Sequence, residues 1–184
     1  MTKLSTAAWI AHELGLAASF GGQLFGKVAL NPNLGAISSE AERGKMLNAA
    51  WNRYNAVNAV AMGTAAATWF VGRAGISGES IDEEARGLVL TKDALFVASI
   101  LTGLASMISG LRLSRLAPDG ATPIQTGTQP SAQTPEEGAS LLRTVNILGN
   151  VSLGLIGSII AVSTILSMKA GESTRWSAVS RFLP

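Results

Sequence analysis

His12 and Glu13 are the residues whose types are best suited to chemistry, because they place two ionisable groups inside a long apolar run near the N-terminus. Ionisable groups within a membrane span serve proton relays, ion pathways or ligand binding. Neighbouring residues of an α-helix point ~100° apart, so these two side chains cannot share one face. A structural role is the favoured alternative, since one acid and one histidine provide few groups for a proton relay. Glu13 would then pair with an arginine at a neighbouring helix end, and His12 with a carbonyl or a serine.

An asparagine-rich stretch, NAAWNRYNAVNAVAMG at residues 48–63, suggests a second kind of polar site. At the ~100° step of an α-helix, its four asparagines fall on one side: Asn48, Asn52, Asn55 and Asn58. An unpaired amide is costly in hydrocarbon, so we expect these side chains to point into a helix bundle or its mouth and to pair with Gln23, Asn146 or Asn150. They would then join helices together. The alternative is a path for a polar solute or an ion.

The residue inventory excludes most enzymatic and cofactor chemistry. The chain has one histidine and no cysteine, which excludes cysteine-ligated metal or iron–sulfur sites and bis-histidine haem ligation within one chain. It contains no Walker motif, nucleophile elbow or glycine-rich dinucleotide loop. The basic residues are scattered and the formal net charge is only +2, which argues against a nucleic-acid surface. We therefore expect no enzymatic activity, no catalytic residues, no metal, no cofactor and no nucleic-acid partner.

Long apolar segments are the elements that would carry these polar residues. Hydrophobic residues make up 47% of the chain and charged residues 14%, and the mean hydropathy is +0.32. A helix needs ~20 apolar residues to cross a bilayer, and four segments reach this length: residues 7–30, 49–71, 94–113 and 145–168. The predicted fold class is an all-α, polytopic integral membrane protein, a four-transmembrane-helix bundle that forms one domain over residues 1–184. Ser39, with acids just after it, predicts that helix 2 begins near residue 39.

Each predicted helix gathers small and polar residues on one face, which suits close helix contacts in a membrane. Besides the asparagines named above, the polar members of these faces are Gln23, Ser99, Ser106, Asn146 and Asn150. The glycines expected at helix contacts are Gly22, Gly26, Gly103, Gly110 and Gly157. The four faces should meet at the centre of the bundle. Interfacial positions, at the level of the lipid headgroups, are expected for Trp51, Arg53, Tyr54 and Trp176.

The connections differ in composition. Residues 117–138, between helices 3 and 4, are rich in Pro, Gly, Thr, Gln and Ala, which predicts a flexible, disordered loop. Residues 73–92 carry clustered acids and a capping-box pattern at Ser80 and Glu83, typical of a short surface helix. At the C-terminus, residues 173–184 have the pattern of an interfacial helix, and a frayed end is an equal alternative.

Two functions from different classes agree with this pattern. The first is a non-enzymatic integral membrane protein that acts as an accessory or scaffold subunit of a larger membrane complex, or as a self-associating bundle. Its partners would be the lipid bilayer and either other membrane subunits or copies of itself in a homo-oligomer. The alternative is a small-solute, ion or proton transporter or channel that uses the polar bundle interior.

A second buried charge facing His12 or Glu13 would favour transport over an accessory role. The sequence alone reveals no such charge, so the accessory role leads. We expect the protein in a bacterial cytoplasmic membrane with both termini cytoplasmic, although lysines and arginines are divided almost evenly between the two sides. No motif assigns the chain to a known family.

Overall fold

Four long helices make up most of the described chain. They are α1 (Lys3–Phe25), α3 (Glu40–Ile76), α4 (Glu83–Arg115) and α5 (Glu136–Glu172), and a single helical turn, α2 (Asn31–Asn33), lies between the first two. The structure, a computed structural model, describes residues 3–76 and 83–172. Within these ranges the only β-type pairing is an isolated bridge between Ile124 and Pro130. The predicted all-α class is confirmed.

The long helices pack as two pairs. The first pair is α1 with α3 and the second is α4 with α5, and thinner contacts of α1 with α5 and of α3 with α4 join the pairs into a bundle. Two apolar clusters form its core. The first contains Leu16, Met62, Ala65, Phe96, Ile156 and Ile159, and the second contains Leu34, Leu47, Leu113, Ile124 and Leu142. Phe96 and Leu113 lie ~25 Å apart along α4 at ~1.5 Å per residue, so the clusters occupy opposite ends of the bundle.

Two of the long helices are long and apolar enough to cross a membrane, over Arg86–Arg115 of α4 and Glu136–Lys169 of α5. Only 11% of the most apolar stretch of α4 and 22% of that of α5 is buried within the protein. In a soluble protein, a core helix with so many apolar residues would be mostly buried. Two of the four predicted spans, those in α4 and α5, thus meet the criterion of length and hydropathy for a membrane span. The other two long helices do not meet this criterion, and they carry more polar residues in their apolar stretches: His12, Glu13 and Gln23 in α1 and the four asparagines in α3.

The start of α3 is stabilised by its first residues. The helix begins at Glu40, one residue from the predicted start. Ser39 Oγ accepts a hydrogen bond from the backbone N–H of Glu42 at 3.3 Å, and the two glutamates lie in the first turn. Both features stabilise a helix N-terminus, where backbone N–H groups lack partners. From there α3 continues without interruption to Ile76, so all four asparagines lie on one rigid element.

The chain remains helical beyond α1. A π-helical turn, Gly26–Leu30, follows it, and the backbone N–H of Asn31 donates to the carbonyl oxygen of Gly26. Pro32 lies in the first turn of α2, where a missing N–H is tolerated. The backbone becomes extended only at Ile37 (φ −77°, ψ 129°). A π turn holds more residues than an α turn, so this region shifts the phase of the helix face.

The connection between α4 and α5 is folded, which corrects the predicted disordered loop at residues 117–138. Ile124 is fully buried, and its N–H donates to Glu40 O at 3.2 Å. Gly127 N–H donates to Asn31 O at 2.9 Å. Backbone hydrogen bonds to the neighbouring helix ends therefore hold a segment that has few large apolar side chains. We call residues 117–135 the cap segment, because they cover one end of the bundle.

The closest approach of the cap segment to the bundle is at Gly44 of α3. A Cβ atom built at Gly44 would lie 1.8 Å from Thr122 O, so only glycine fits there. Thr122 is itself buried, and its Oγ1 donates to Leu113 O at 3.0 Å. The cap segment thus lies directly on α3 and the end of α4.

Two predicted features lie at or beyond the limits of the described residues. Ser80 of the predicted capping box and the predicted tail helix, residues 173–184 with Trp176, lie outside them. The predicted short surface helix in residues 73–92 is corrected in its described part. Residues from Glu83 onward belong to the long helix α4, because the apolar pattern of α4 continues upstream of the predicted span.

Candidate functional site

A cavity of about 110 Å³ lies in the bundle and takes its lining from all four long helices. Of the nine polar residues predicted to share the bundle interior, eight line it. They are Gln23, the four asparagines of α3, Ser106, Asn146 and Asn150. The structure therefore brings together the polar faces of helices that are far apart in sequence.

Lys27, an exposed residue of the π-helical turn, is the one cationic residue among the described residues of the lining. Its Nζ donates a hydrogen bond to Oδ1 of Asn150 on α5. Gln23, one turn earlier, donates from Nε2 to Ser152 Oγ at 3.1 Å, and its Oε1 is buried without a protein partner. The described residues that line the cavity include no carboxylate. The positive charge of Lys27 is therefore not neutralised within the cavity wall.

Trp51 and Tyr54 line the cavity, and their position at the level of the lipid headgroups stays a prediction. Their rings fill the space left by two glycines of α1, since a Cβ at Gly22 would lie 2.1 Å from the Tyr54 ring and one at Gly26 would lie 2.5 Å from the Trp51 ring. The Tyr54 hydroxyl donates to Ser19 O at 2.7 Å. The two glycines of α1 thus leave room for both aromatic rings to point inward.

Trp51 also forms a polar contact at the cavity, because its Nε1 donates to Asn31 Oδ1 at 3.1 Å. This bond ties α3 to α2 next to the π-helical turn. Arg53, on another side of α3, is exposed.

The four asparagines differ in what they contact. Asn48 is buried (8% exposed), and its Nδ2 donates to Gly120 O in the cap segment at 2.8 Å. Asn58 Oδ1 lies 3.2 Å from the Tyr54 hydroxyl, whose single proton forms the shorter bond to Ser19 O. Asn52 and Asn55 form no side-chain hydrogen bond with another described residue. The predicted pairing with Gln23, Asn146 or Asn150 does not occur among the described contacts, because those side chains bond elsewhere or face the open cavity.

Asn48→Leu is expected to lower the apparent melting temperature of the detergent-solubilised protein, because it leaves Gly120 O buried without a donor. Loss of such a bond costs about 1–3 kcal/mol. Asn55→Leu, on the same face, is the matched control and should change stability little, since it removes no hydrogen bond. Equal melting temperatures for the two variants would contradict a cap segment held by Asn48.

A second polar cluster lies where Lys92 of α4 meets His12 of α1. Lys92 is 0% exposed and His12 is 2% exposed. Lys92 Nζ lies 2.9 Å from His12 Nε2, and His12 Nδ1 lies 2.8 Å from Ala65 O on α3. Because a carbonyl oxygen can only accept, Nδ1 carries a proton and Nε2 accepts from the lysine ammonium. The pair therefore holds one positive charge.

Aromatic rings surround this ammonium. Lys92 Nζ lies 3.9 Å from the ring centroid of Trp69, 5.6 Å from that of Trp9 and 6.0 Å from that of Phe96. The faces of such rings attract a cation, most strongly where water is excluded. Trp69 is fixed in turn, because its Nε1 donates to Asp93 Oδ1 at 2.9 Å. The cluster can hold a buried positive charge in a defined place.

Glu13 lies beside this cluster and is half-buried. Its charge acts on Lys92. The predicted arginine partner is not seen, since within the described part of the chain no salt bridge of Glu13 is present.

Lys92 is the functional candidate that sequence reasoning missed. The third span was predicted to begin at residue 94, which left this lysine in a loop. A signal was present, because Lys92, Phe96, Ser99 and Gly103 follow each other at intervals of three or four residues on one helical face. Extending the polar stripe of α4 upstream would have placed Lys92 beside His12.

Two serines between the polar cluster and the cavity have no partner. Ser19 Oγ and Ser99 Oγ are buried and form no hydrogen bond with described residues. Ser19 lies four residues from Gln23 and seven from His12 on α1. Ser99 holds the same position on α4, four residues from Gly103 and seven from Lys92. Buried hydroxyls usually have a hydrogen-bond partner, so a water molecule or a ligand would satisfy these two.

The predicted contact glycines fall into two groups. Gly22, Gly26 and Gly157 lie against rings, the last with a Cβ position 3.4 Å from the Phe20 ring. Gly103 and Gly110 instead face the cavity, and a Cβ at either would meet nothing within 4 Å. For these two the predicted role in helix packing is corrected, because the cavity leaves open space beside them.

The site has to be interpreted from its own chemistry. Compared with known proteins, the chain matches no family model, no curated sequence and no solved structure.

Proposed function

We propose that the chain is a four-span integral membrane protein whose helix bundle binds a small polar solute and passes it across the membrane. The observation that carries this proposal is the cavity to which every long helix contributes polar or small residues. A cavity of ~150 Å³ accommodates a molecule of six carbon atoms. About 110 Å³ therefore suits a solute of roughly four non-hydrogen atoms, or several waters.

The outer surface of the bundle supports four spans. Large apolar side chains are exposed on α1 and α3 as well as on the two more apolar helices, with Leu14 65% and Val60 71% exposed. Such surfaces suit lipid, which needs no polar partner. The polar residues that lower the hydropathy of α1 and α3 face the interior instead. All four helices can therefore present apolar surface to a bilayer.

The pair of Lys92 and His12 favours transport over a purely structural role. A second buried charge facing His12 is the feature that distinguishes the two hypotheses, and Lys92 supplies it at 2.9 Å. Buried ionisable groups within spans typically mark substrate or ion pathways. The unpaired hydroxyls of Ser19 and Ser99 lie between this pair and the cavity, as positions along a path would.

A cavity-filling substitution tests the proposal. Gly103→Leu places a side chain into the cavity without a clash, because open space surrounds its Cβ position. We expect it to reduce solute flux at least tenfold in proteoliposomes, measured by light scattering as vesicles swell in urea, glycerol or potassium nitrate with valinomycin. A fourth arm follows potassium efflux with a protonophore.

Gly87→Leu is the matched control. This glycine lies on the same helix, is exposed, also has open space around it and does not line the cavity. The control should keep the wild-type rate. If wild-type vesicles move none of the four solutes faster than protein-free vesicles, the transport proposal fails.

An accessory or self-associating role is the second candidate, and one surface favours it. A shallow apolar groove runs between α1 and α3, with small residues such as Ala11, Ala18 and Ala56 in its lining. Small residues permit close helix approach in membranes. Native mass spectrometry after gentle extraction from the membrane tests this role. Stoichiometric co-purification of another membrane subunit supports it, and a monomer without any partner contradicts it.

A further inference from the structure

We infer that the solute is a small monovalent anion, held in the cavity by the ammonium group of Lys27. This inference rests on the proposed function and names its substrate class.

Charge in the cavity wall favours an anion. Lys27 and its hydrogen-bond partner Asn150, a neutral amide, are exposed at the cavity, and the described lining holds no carboxylate that would neutralise the lysine. Anion-selective membrane pores are lined by lysine or arginine. A cation in the cavity would meet an uncompensated positive charge, whereas one anion would balance it. Because the wall carries a single such charge, a monovalent ion is the best match.

Hydrogen-bond donors surround the same space. Asn52, Asn55 and Asn146 line the cavity, and their side chains form no hydrogen bond with another described residue. Each amide offers two N–H donors. Such groups can replace part of the hydration shell that an anion loses when it leaves water.

Buried hydroxyls extend the donor set beyond the cavity. Ser19 and Ser99 lie one helical turn from the lining residues Gln23 and Gly103, and their Oγ atoms have no partner. A hydroxyl group can donate to an anion. These two positions are independent of Lys27 and could supply further donors to an anion, although the same oxygens can also accept.

Wild-type protein in vesicles of phosphatidylethanolamine and phosphatidylglycerol tests the substrate class. One arm uses potassium chloride or nitrate with valinomycin, so that swelling requires the anion to cross. A second arm uses urea and glycerol, and a third follows potassium efflux with a protonophore. We expect swelling at least tenfold faster than in protein-free vesicles in the anion arm alone. Flux of urea, glycerol or potassium without anion flux overturns the inference and leaves the proposed function standing. No flux in any arm overturns both.

Lys27→Met tests the anchoring residue. We expect it to lower chloride and nitrate flux at least tenfold. Lys45→Met is the matched control, because Lys45 pairs with Asp119 on the surface at 3.5 Å and does not line the cavity, so this variant should keep the wild-type flux. Wild-type flux in Lys27→Met overturns the role of Lys27. The comparison of arms with wild-type protein stands independently of whether this variant folds.

Discussion

Replacing His12 by leucine is expected to lower the free energy of unfolding by about 3 kcal/mol, because it leaves the buried ammonium of Lys92 without its acceptor. The double variant His12→Leu/Lys92→Met should be considerably more stable than the single one. Replacing both members of a buried polar pair by apolar residues of similar size is often nearly neutral. The double variant regains stability because it removes the buried charge itself, whereas the single variant removes only the partner of that charge.

Thermal unfolding of the purified protein in detergent measures this double-mutant cycle. Lys45→Met controls for the loss of a lysine, since its side chain is 57% exposed, and it should leave the melting temperature nearly unchanged. A double variant less stable than His12→Leu alone would contradict the pairing of Lys92 with His12.

Gly44→Ala is expected to detach the cap segment from α3. The added Cβ would lie 1.8 Å from Thr122 O, and a backbone atom cannot move away without shifting the segment. Overpacking of this kind costs about 1–3 kcal/mol. Proteinase K should then cleave within residues 117–135 much faster than in the wild-type protein.

Gly63→Ala is the matched control for this variant, because it lies on the same helix and its Cβ would meet nothing within 4 Å. It should leave the cleavage rate unchanged or lower it slightly, since alanine favours a helix over glycine. Rapid cleavage of the cap segment in the wild-type protein itself would contradict its observed packing.

The polar faces of the helices could be predicted from the sequence because they depend on helical periodicity alone. Asn48, Asn52, Asn55 and Asn58 recur every three or four residues, and a regular helix brings them to one side. Their partners could not be predicted in this way. Asn48 bonds to Gly120, which is 72 residues away in sequence, and that pairing depends on how the cap segment folds.

The composition of the cap segment predicted disorder, and this prediction was wrong. A sequence of small polar residues, prolines and glycines lacks the apolar area that usually stabilises a loop. Here the same small residues allow the backbone to pack closely against α3 at Gly44 and to form main-chain hydrogen bonds with Glu40 and Asn31. The low-complexity sequence therefore correctly indicated small side chains, but these side chains do not make the segment disordered.

Lys92 was missed for a different reason. A predicted span defined by its apolar residues ends at the first charged residue. A charged residue that is buried inside a bundle is therefore assigned to a loop. Only the contact with His12 and the three aromatic rings around its Nζ show that this lysine belongs to the interior.

The π-helical turn Gly26–Leu30 changes how residues of this region are spaced around the helix. An α-helix advances ~100° per residue, and a π turn accommodates about one extra residue in a turn. This extra residue helps to keep Gln23, Lys27 and Asn31 all at the cavity. Deleting one residue of the turn would leave a regular α turn that completes the same rotation, so the helix on either side would keep its phase. A deletion elsewhere in α1 has no such turn to absorb it and would rotate everything upstream of it by ~100°.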